Sequence, residues 1–136
     1  MYPQGQHILV IDNDSGRRRL SAHLLAGEGF SVTEAPEGFS AIRAADDAHF
    51  SLALTATSLP GSLDGPTTVQ QIRARQPWLK ALFTGNLAAR PPAPDDRDDF
   101  IATPFDGREL LGCVFELLQR EAGRAPAGLR SHRHLG

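Results

Sequence analysis

Short apolar runs alternate with amphipathic stretches along most of this chain, and that alternation constrains the fold more than any other feature. Residues 7–11, His-Ile-Leu-Val-Ile, have the nearly continuous apolar pattern of a strand buried on both faces. Further strands are predicted at about 30–34, 51–57, 81–84 and 100–102. Helical patterns separate these strands, which predicts βαβ units and hence a parallel sheet with helices on both faces.

Three amphipathic helices are predicted after the first three strands. Asp14 or Ser15 can cap the first helix, which continues to about residue 26, and Pro36 opens the second. The third covers about 66–75. The side chains expected to face the core are Leu20, Leu24 and Leu25 on the first helix and Phe39, Ile42 and Ala45 on the second.

The connection between the fourth and fifth strands departs from this alternation of strands and helices. Its prolines, Pro91, Pro92 and Pro94, lack amide donors and restrict the residues before them, so a full helix cannot run through the segment. At best one turn forms at 86–89. The last helix is predicted to begin at Asp106, where Glu109 completes a capping-box pattern, and to run to about residue 121.

The size and charge of the chain limit the classes of protein to which it can belong. Its 136 residues fit one domain, which we expect to cover 1–121, followed by a disordered tail at 122–136 without hydrophobic periodicity. The net charge of −2 gives no global field that would attract nucleic acid or a membrane surface. No run approaches the ~18 apolar residues of a membrane span, so we expect a cytoplasmic protein. The single Cys113 and the scattered histidines lack metal-ligand spacing, and no metal site is expected.

Four short motifs follow one another in the order and at the strand ends of a known family. They are Ile-Leu-Val-Ile-Asp-Asn-Asp at 8–14, Leu-Pro-Gly-Ser-Leu-Asp-Gly at 59–65, Phe-Thr-Gly at 83–85 and Thr-Pro-Phe-Asp at 103–106. With these motifs, residues 6–121 resemble the receiver (CheY-like) domain of two-component response regulators. The resemblance implies a flavodoxin-like α/β three-layer sandwich with a five-stranded parallel sheet in the order 2-1-3-4-5. The longer loop at 60–65 and the shortened or lost fourth helix look like receivers attached to hybrid histidine kinases.

Receivers pass a phosphoryl group from a histidine to an aspartate with the help of Mg²⁺, and the resemblance maps the parts of that chemistry onto this chain. The acid-pair positions fall on Asp12 and Asn13, with Asp14 adjacent. The hydroxyl position falls on Thr84 and is kept, whereas the lysine position falls on Thr103. One acid and the cation are therefore missing, and we expect neither a bound metal nor another cofactor.

The nucleophile position lacks a carboxylate however the loop is aligned. It falls on Ala56 when counted back from Pro60, and on Thr57 when counted back from Gly65. The aromatic position that reports the switch falls on Phe100, which has no phenolic oxygen. The sequence therefore predicts that the phosphoacceptor is lost and that the protein is not an enzyme.

Two surfaces are candidates for partner contacts. Arg17 stands on the helix that receivers present to kinases and phosphotransfer proteins, although a solvated helix face is the simpler interpretation. On the last helix, Leu111 and Phe115 either pack under the proline-rich loop or form an apolar face for dimerisation or docking. The expected partner is a histidine kinase, a phosphotransfer protein or another regulator, with a homodimer through the last helix as a further option.

The sequence thus predicts an atypical receiver that acts as a protein-interaction module independently of phosphorylation. Two alternatives stay open. One is a receiver that is phosphorylated by an unusual route, and the other is a flavodoxin-like domain that binds a small molecule in the same crevice. The Thr103-Pro104 peptide is expected to be cis, as the matching Lys-Pro is in receivers.

Overall fold

The computed structural model describes residues 6–91 and 96–120. The strands in this part of the chain are β1 (His7–Ile11), β2 (Ser31–Ala35), β3 (Leu52–Ala56), β4 (Lys80–Gly85) and β5 (Asp98–Ala102). The helices are α1 (Ser15–Gly27), α2 (Gly38–Asp47), α3 (Gly65–Arg73) and α4 (Gly107–Gln119), with a 3₁₀ turn at Leu87–Ala89.

The five strands are parallel and lie in the order β2-β1-β3-β4-β5. Every residue of the central strand β3 is buried, whereas the edge strand β2 keeps exposed residues. Strands that are covered by helices on both faces need apolar side chains on both, which explains the continuous apolar runs of the sequence. The predicted flavodoxin-like fold is confirmed.

The helices enclose one hydrophobic core on each face of the sheet. The core beneath α2 and α3 includes Phe50, Ile72 and Phe83. The core beneath α1 and α4 includes Leu25 and Leu110. Helix α4 thus covers the same face as α1, and the loop that enters α4 lies next to α1.

Two side chains that the apolar pattern assigns to the core are exposed instead. Leu20 on α1 is 60% exposed and Phe39 on α2 is 54% exposed. On α2, a Cβ added to Gly38 would lie 2.5 Å from Oγ1 of Thr68, so the glycine itself forms the contact with α3. Since Gly38 faces inward, the next residue, Phe39, points away from the core.

The connection after β4 has the short turn that its prolines predict. The 3₁₀ turn at Leu87–Ala89 is capped by the side chain of Asn86. Residues 92–95 lie outside the described part of the chain. The capping box of Asp106 and Glu109 at the start of α4 and the cis peptide at Thr103-Pro104 are both confirmed.

None of the helices in the described ranges combines the length and the apolar character that a membrane crossing requires. The tail predicted at 122–136 lies outside those ranges. The domain boundary near residue 121 therefore stays a prediction.

Candidate functional site

The carboxyl ends of four strands meet at one rim of the sheet. Ala56, the last residue of β3, is level with Thr84 of β4, and Thr57 donates its backbone N–H to the Thr84 carbonyl at 2.8 Å. Thr103, after β5, donates its backbone N–H to the Gly85 carbonyl at 2.8 Å. The fold thus brings together distant residues at the edge where open α/β sheets place their ligands.

Asp12, which directly follows β1 at this rim, is a buried carboxylate bound by an arginine. Arg17 donates from Nε to Oδ2 of Asp12 at 2.6 Å and from Nη2 to Oδ1 at 2.9 Å. The backbone N–H of Asp14 donates to Oδ1 at 3.0 Å, and Arg18 donates to the Asp12 carbonyl oxygen at 2.9 Å. Both carboxylate oxygens are therefore engaged within the chain, in the forked geometry that makes guanidinium–carboxylate pairs specific.

The first turn of α1 holds Arg17 at this position. Asp14 caps the helix by accepting the backbone N–H of Arg17 at 2.9 Å, and this hydrogen bond lowers the pKa of the Asp14 carboxyl. Residues four apart share a helix face, so Arg17 points to the same side as the buried Ser21. Leu20, the residue before Ser21, is 60% exposed because Ser21 takes the inward position.

The cavity above Asp12 and Ala56 is almost filled. It measures about 10 Å³, and its lining includes Asp12, Arg17, Ser21, Ala56, Thr84 and Phe105. A single buried water needs about 10–15 Å³ of such space. With the side chains in this arrangement the space is too small for a small-molecule ligand, and Ala56 turns only a methyl group toward it.

The other predicted site residues do not line this cavity. Three of them, Asn13, Asp14 and Thr103, are exposed. Phe100 is buried in the core, and the guanidinium carbon of Arg90 lies 5.7 Å from the centre of its ring. Oγ1 of Thr57 is buried without a hydrogen-bond partner in the structure.

Two features of the site were not predicted from the sequence. One is the pairing of Arg17 with Asp12, for which the sequence carries no signal because arginine near a helix start is usually solvated. The other is Phe105, which precedes the capping residue Asp106 and packs in the same core as Leu110. That arrangement is typical of a hydrophobic staple, and the motif could have identified Phe105.

A larger, mostly apolar groove lies between α1 and the loop that leads into α4. Its volume is about 270 Å³, and its lining includes Arg17, Leu20, Leu24, Thr103, Phe105 and Leu110. The groove adjoins the small cavity, because Arg17, Ser21 and Phe105 line both.

Leu111 and Phe115 lie outside this groove and are half-buried. The ring centre of Phe115 lies 5.9 Å from that of Phe30, in the core under α1 and α4. The structure therefore does not leave the two side chains as an open apolar seam. Dimerisation through them stays a prediction.

Comparison with known protein families identifies the family to which the chain belongs. A family model described as the response regulator receiver domain matches residues 8–114. The chain belongs to this receiver family. Receivers are signalling modules of two-component systems, as the sequence motifs indicate.

Curated relatives contain this receiver as one part of a longer protein. Transcriptional regulatory protein ResD of Bacillus subtilis is 34% identical over 116 residues, which are 83% of this chain and 48% of ResD. Transcriptional regulatory protein CseB of Streptomyces coelicolor is 30% identical over 132 residues, 92% of this chain and 54% of CseB. The sensor kinase CckA of Brucella abortus is 24% identical over 84% of this chain and 13% of its own length. The receiver thus spans about half or less of these relatives.

Solved receiver domains share the fold over most of this chain. The receiver of the hybrid histidine kinase CckA superposes with a TM-score of 0.72 at 25% identity, covering 83% of this chain and 99% of its own. The receiver of NtrX from Brucella abortus gives a TM-score of 0.72 at 28% identity, covering 84% and 99%. The likeness to a hybrid-kinase receiver agrees with the longer loop at 60–65 and with the 3₁₀ turn in the described part of the connection between β4 and β5.

The Mg²⁺ that assists phosphoryl transfer in receivers does not fit the donor set at this rim. Mg²⁺ demands near-octahedral oxygen ligation and is bound through carboxylates. Both oxygens of Asp12 already accept from Arg17, and Asp14 accepts the backbone N–H of Arg17 as the helix cap. The side chain of Asn13 is neutral, and that of Ala56 carries no ligand atom. Within residues 6–91 and 96–120, no three His, Cys, Asp or Glu side chains are grouped to hold a metal ion.

Proposed function

We propose that this receiver works without accepting a phosphoryl group and acts as a protein-interaction module in two-component signalling. The observation that carries the proposal is the methyl group of Ala56, at the end of β3, level with Thr84 and beside a cavity of about 10 Å³. A methyl group has no lone pair with which to attack phosphorus, and the transfer requires a nucleophile at this point.

The neighbouring positions support the same proposal. Thr103 offers a neutral hydroxyl at the lysine position, so the charge on a transferred group would lack its cation. Asn13 leaves Asp12 as the single carboxylate of the acid pair, and Phe100 lacks the hydroxyl of a tyrosine switch. Several parts of the transfer chemistry are replaced together.

One acceptor for the alternative of an unusual phosphorylation route is a hydroxyl such as that of Thr57. A threonine hydroxyl is a weak nucleophile until a base activates it. Oγ1 of Thr57 is buried, so a donor would reach it only after the rim had rearranged. The geometry therefore favours a receiver that is not phosphorylated here.

A phosphodonor assay tests this proposal. The purified chain is incubated with acetyl phosphate and Mg²⁺, and its intact mass is measured beside a receiver that keeps the aspartate. We expect the mass of this chain to stay unchanged while the control gains one phosphoryl group. A gain by this chain would overturn the proposal.

We propose that the partner docks in the groove between α1 and the α4 entry loop. The partner is a helix of a histidine kinase or of a phosphotransfer protein, the proteins with which receivers interact. The groove is apolar, about 270 Å³ in volume, and Leu20 at its edge is 60% exposed, so an amphipathic helix could bury that side chain. Such partners imply that the receiver acts in the cytoplasm.

Site-specific crosslinking tests this docking surface. A photoreactive residue replaces Leu20, and Phe39 on α2 is the matched control because it is 54% exposed on another helix. We expect the Leu20 probe, and not the Phe39 probe, to capture a histidine kinase or phosphotransfer protein that mass spectrometry identifies. Equal capture at both positions, or capture of neither partner class at Leu20, would contradict the docking surface.

A further inference from the structure

Arg17 occupies the position from which a cation can neutralise Asp12. The side chain of Asp12 is 8% exposed and that of Arg17 is 46% exposed, so the pair lies at the boundary between core and solvent. Two charge-assisted hydrogen bonds of 2.6 and 2.9 Å join them. A buried carboxylate is costly unless a positive group balances it, and here that group belongs to the chain.

The charge of this internal cation is permanent. The side-chain hydrogen bonds to Asp12 raise the pKa of Arg17 above its already high ordinary value. The carboxylate of Asp12 and the guanidinium of Arg17 together carry no net charge. A divalent ion at the same carboxylate would meet the repulsion of the guanidinium. The neighbouring acid, Asp14, already faces that guanidinium, because its Oδ2 lies 3.8 Å from Nη1 of Arg17.

We propose that Arg17 is a built-in replacement for the metal ion of receivers. Its guanidinium neutralises Asp12 permanently, fixes the first turn of α1 against β1, and makes the rim independent of divalent cations. This inference rests on the proposed function, because only a receiver that no longer has to admit a metal and a phosphoryl group can keep the site closed by its own side chain.

The pair of Asp12 and Arg17 also shapes the docking groove. Arg17 lines both the small cavity and the groove that contains Leu20 and Leu24. Because Asp12 fixes Arg17, and Arg17 stands one turn from Ser21 on α1, the wall of the groove is held in one arrangement. In this chain the groove is therefore shaped without a metal or phosphorylation event.

A magnesium titration of the unmodified chain gives the first test. The melting temperature is measured with millimolar MgCl₂ and with NaCl at matched ionic strength, and Mn²⁺ binding is followed by water-proton relaxation. We expect the same melting temperature in both salts and no Mn²⁺ binding. A Mg²⁺-dependent rise, or Mn²⁺ binding that Asp12→Asn abolishes, would overturn the inference.

Substitution of the arginine gives the second test. Arg17→Met is expected to lower the melting temperature by about 4 °C or more, whereas the control Arg19→Met, on the exposed side of the same helix, is expected to change it little. Asp12→Asn combined with Arg17→Met should lose less than the sum of the single variants, since the two side chains are coupled. Equal melting temperatures for both arginine variants, or strictly additive losses, would contradict the replacement.

The outcomes separate this inference from the proposed function. If the chain binds Mg²⁺ but its mass stays unchanged with acetyl phosphate, the arginine replacement is wrong and the proposed function stands. If the mass increases, the proposed function is wrong, and the replacement that rests on it is wrong as well.

Discussion

Gly65 shows at the scale of one residue how the loop after β3 is fixed to the rim. Its backbone N–H donates to the Thr57 carbonyl at 2.8 Å, and a Cβ placed on it would lie 2.3 Å from the carbonyl oxygen of Ala56. A backbone oxygen cannot retreat as a flexible side chain can. The glycine is therefore required by close approach at the strand end.

Replacement of this glycine should be destabilising. We expect Gly65→Ala to lower the free energy of unfolding by about 1–3 kcal/mol, because the added methyl group overpacks the contact with Ala56. The matched control is Gly112→Ala, an exposed position within α4 where a Cβ meets no atom within 4 Å. That change should raise the free energy of unfolding by about 0.5–1 kcal/mol. Urea denaturation measures both, and a Gly65→Ala variant as stable as the parent would refute this account of the loop.

The residue scale is also where the sequence was least informative about the site. The motifs located Asp12, Thr84 and Thr103, since each follows or ends a strand with a recognisable pattern. They did not locate the partner of Asp12. Whether Arg17 faces solvent or a carboxylate depends on the orientation of α1 over β1, and helical periodicity alone does not fix that orientation.

Gln76 joins neighbouring elements at the opposite end of the sheet. Its side chain is buried, and Oε1 accepts the backbone N–H of Phe50 at 2.9 Å. Its Nε2 donates to the carbonyls of Ala45 at 3.0 Å and Ala48 at 2.9 Å. One side chain thus satisfies the end of α2 and the segment that leads into β3.

Removal of the side-chain amide of Gln76 should destabilise the fold strongly. We expect Gln76→Ala to lower the free energy of unfolding by about 3 kcal/mol, because three backbone groups lose their partner away from water. Gln70→Ala, at an exposed position of α3, is the control and should stay within about 0.5 kcal/mol of the parent. Urea denaturation measures the free energy of unfolding of both variants. Similarly small decreases in the two variants would show that Gln76 does not join these elements.

The sequence predicted which segments form helices and strands better than it predicted which side of each helix faces the core. The prolines after β4 predicted at most one turn in that connection, where the structure has a 3₁₀ turn, and the pattern at Asp106 predicted the start of α4. The inward assignments of Leu20 and Phe39 were wrong. In both helices smaller residues, Ser21 and Gly38, take the buried positions, because a close contact favours a small residue where the apolar pattern favours a large one.

For the whole molecule, the order of strands followed from local patterns together with the family motifs. Alternation of strands and helices restricts the sheet to parallel arrangements, and short right-handed connections leave few orders to consider. What local patterns could not supply was the packing at the rim, where four strand ends and two loops meet. The filled cavity of about 10 Å³ is a property of that assembly and of no single motif.

The measurement that tests the central claim most directly is the intact mass after incubation with acetyl phosphate and Mg²⁺. Arg17→Met is included so that blockage by the arginine is separated from loss of the acceptor. The account predicts an unchanged mass for the parent and for Arg17→Met at every time point, because both keep Ala56 at the end of β3. A gain of one phosphoryl group by the parent chain, acid-labile or stable, would contradict the claim.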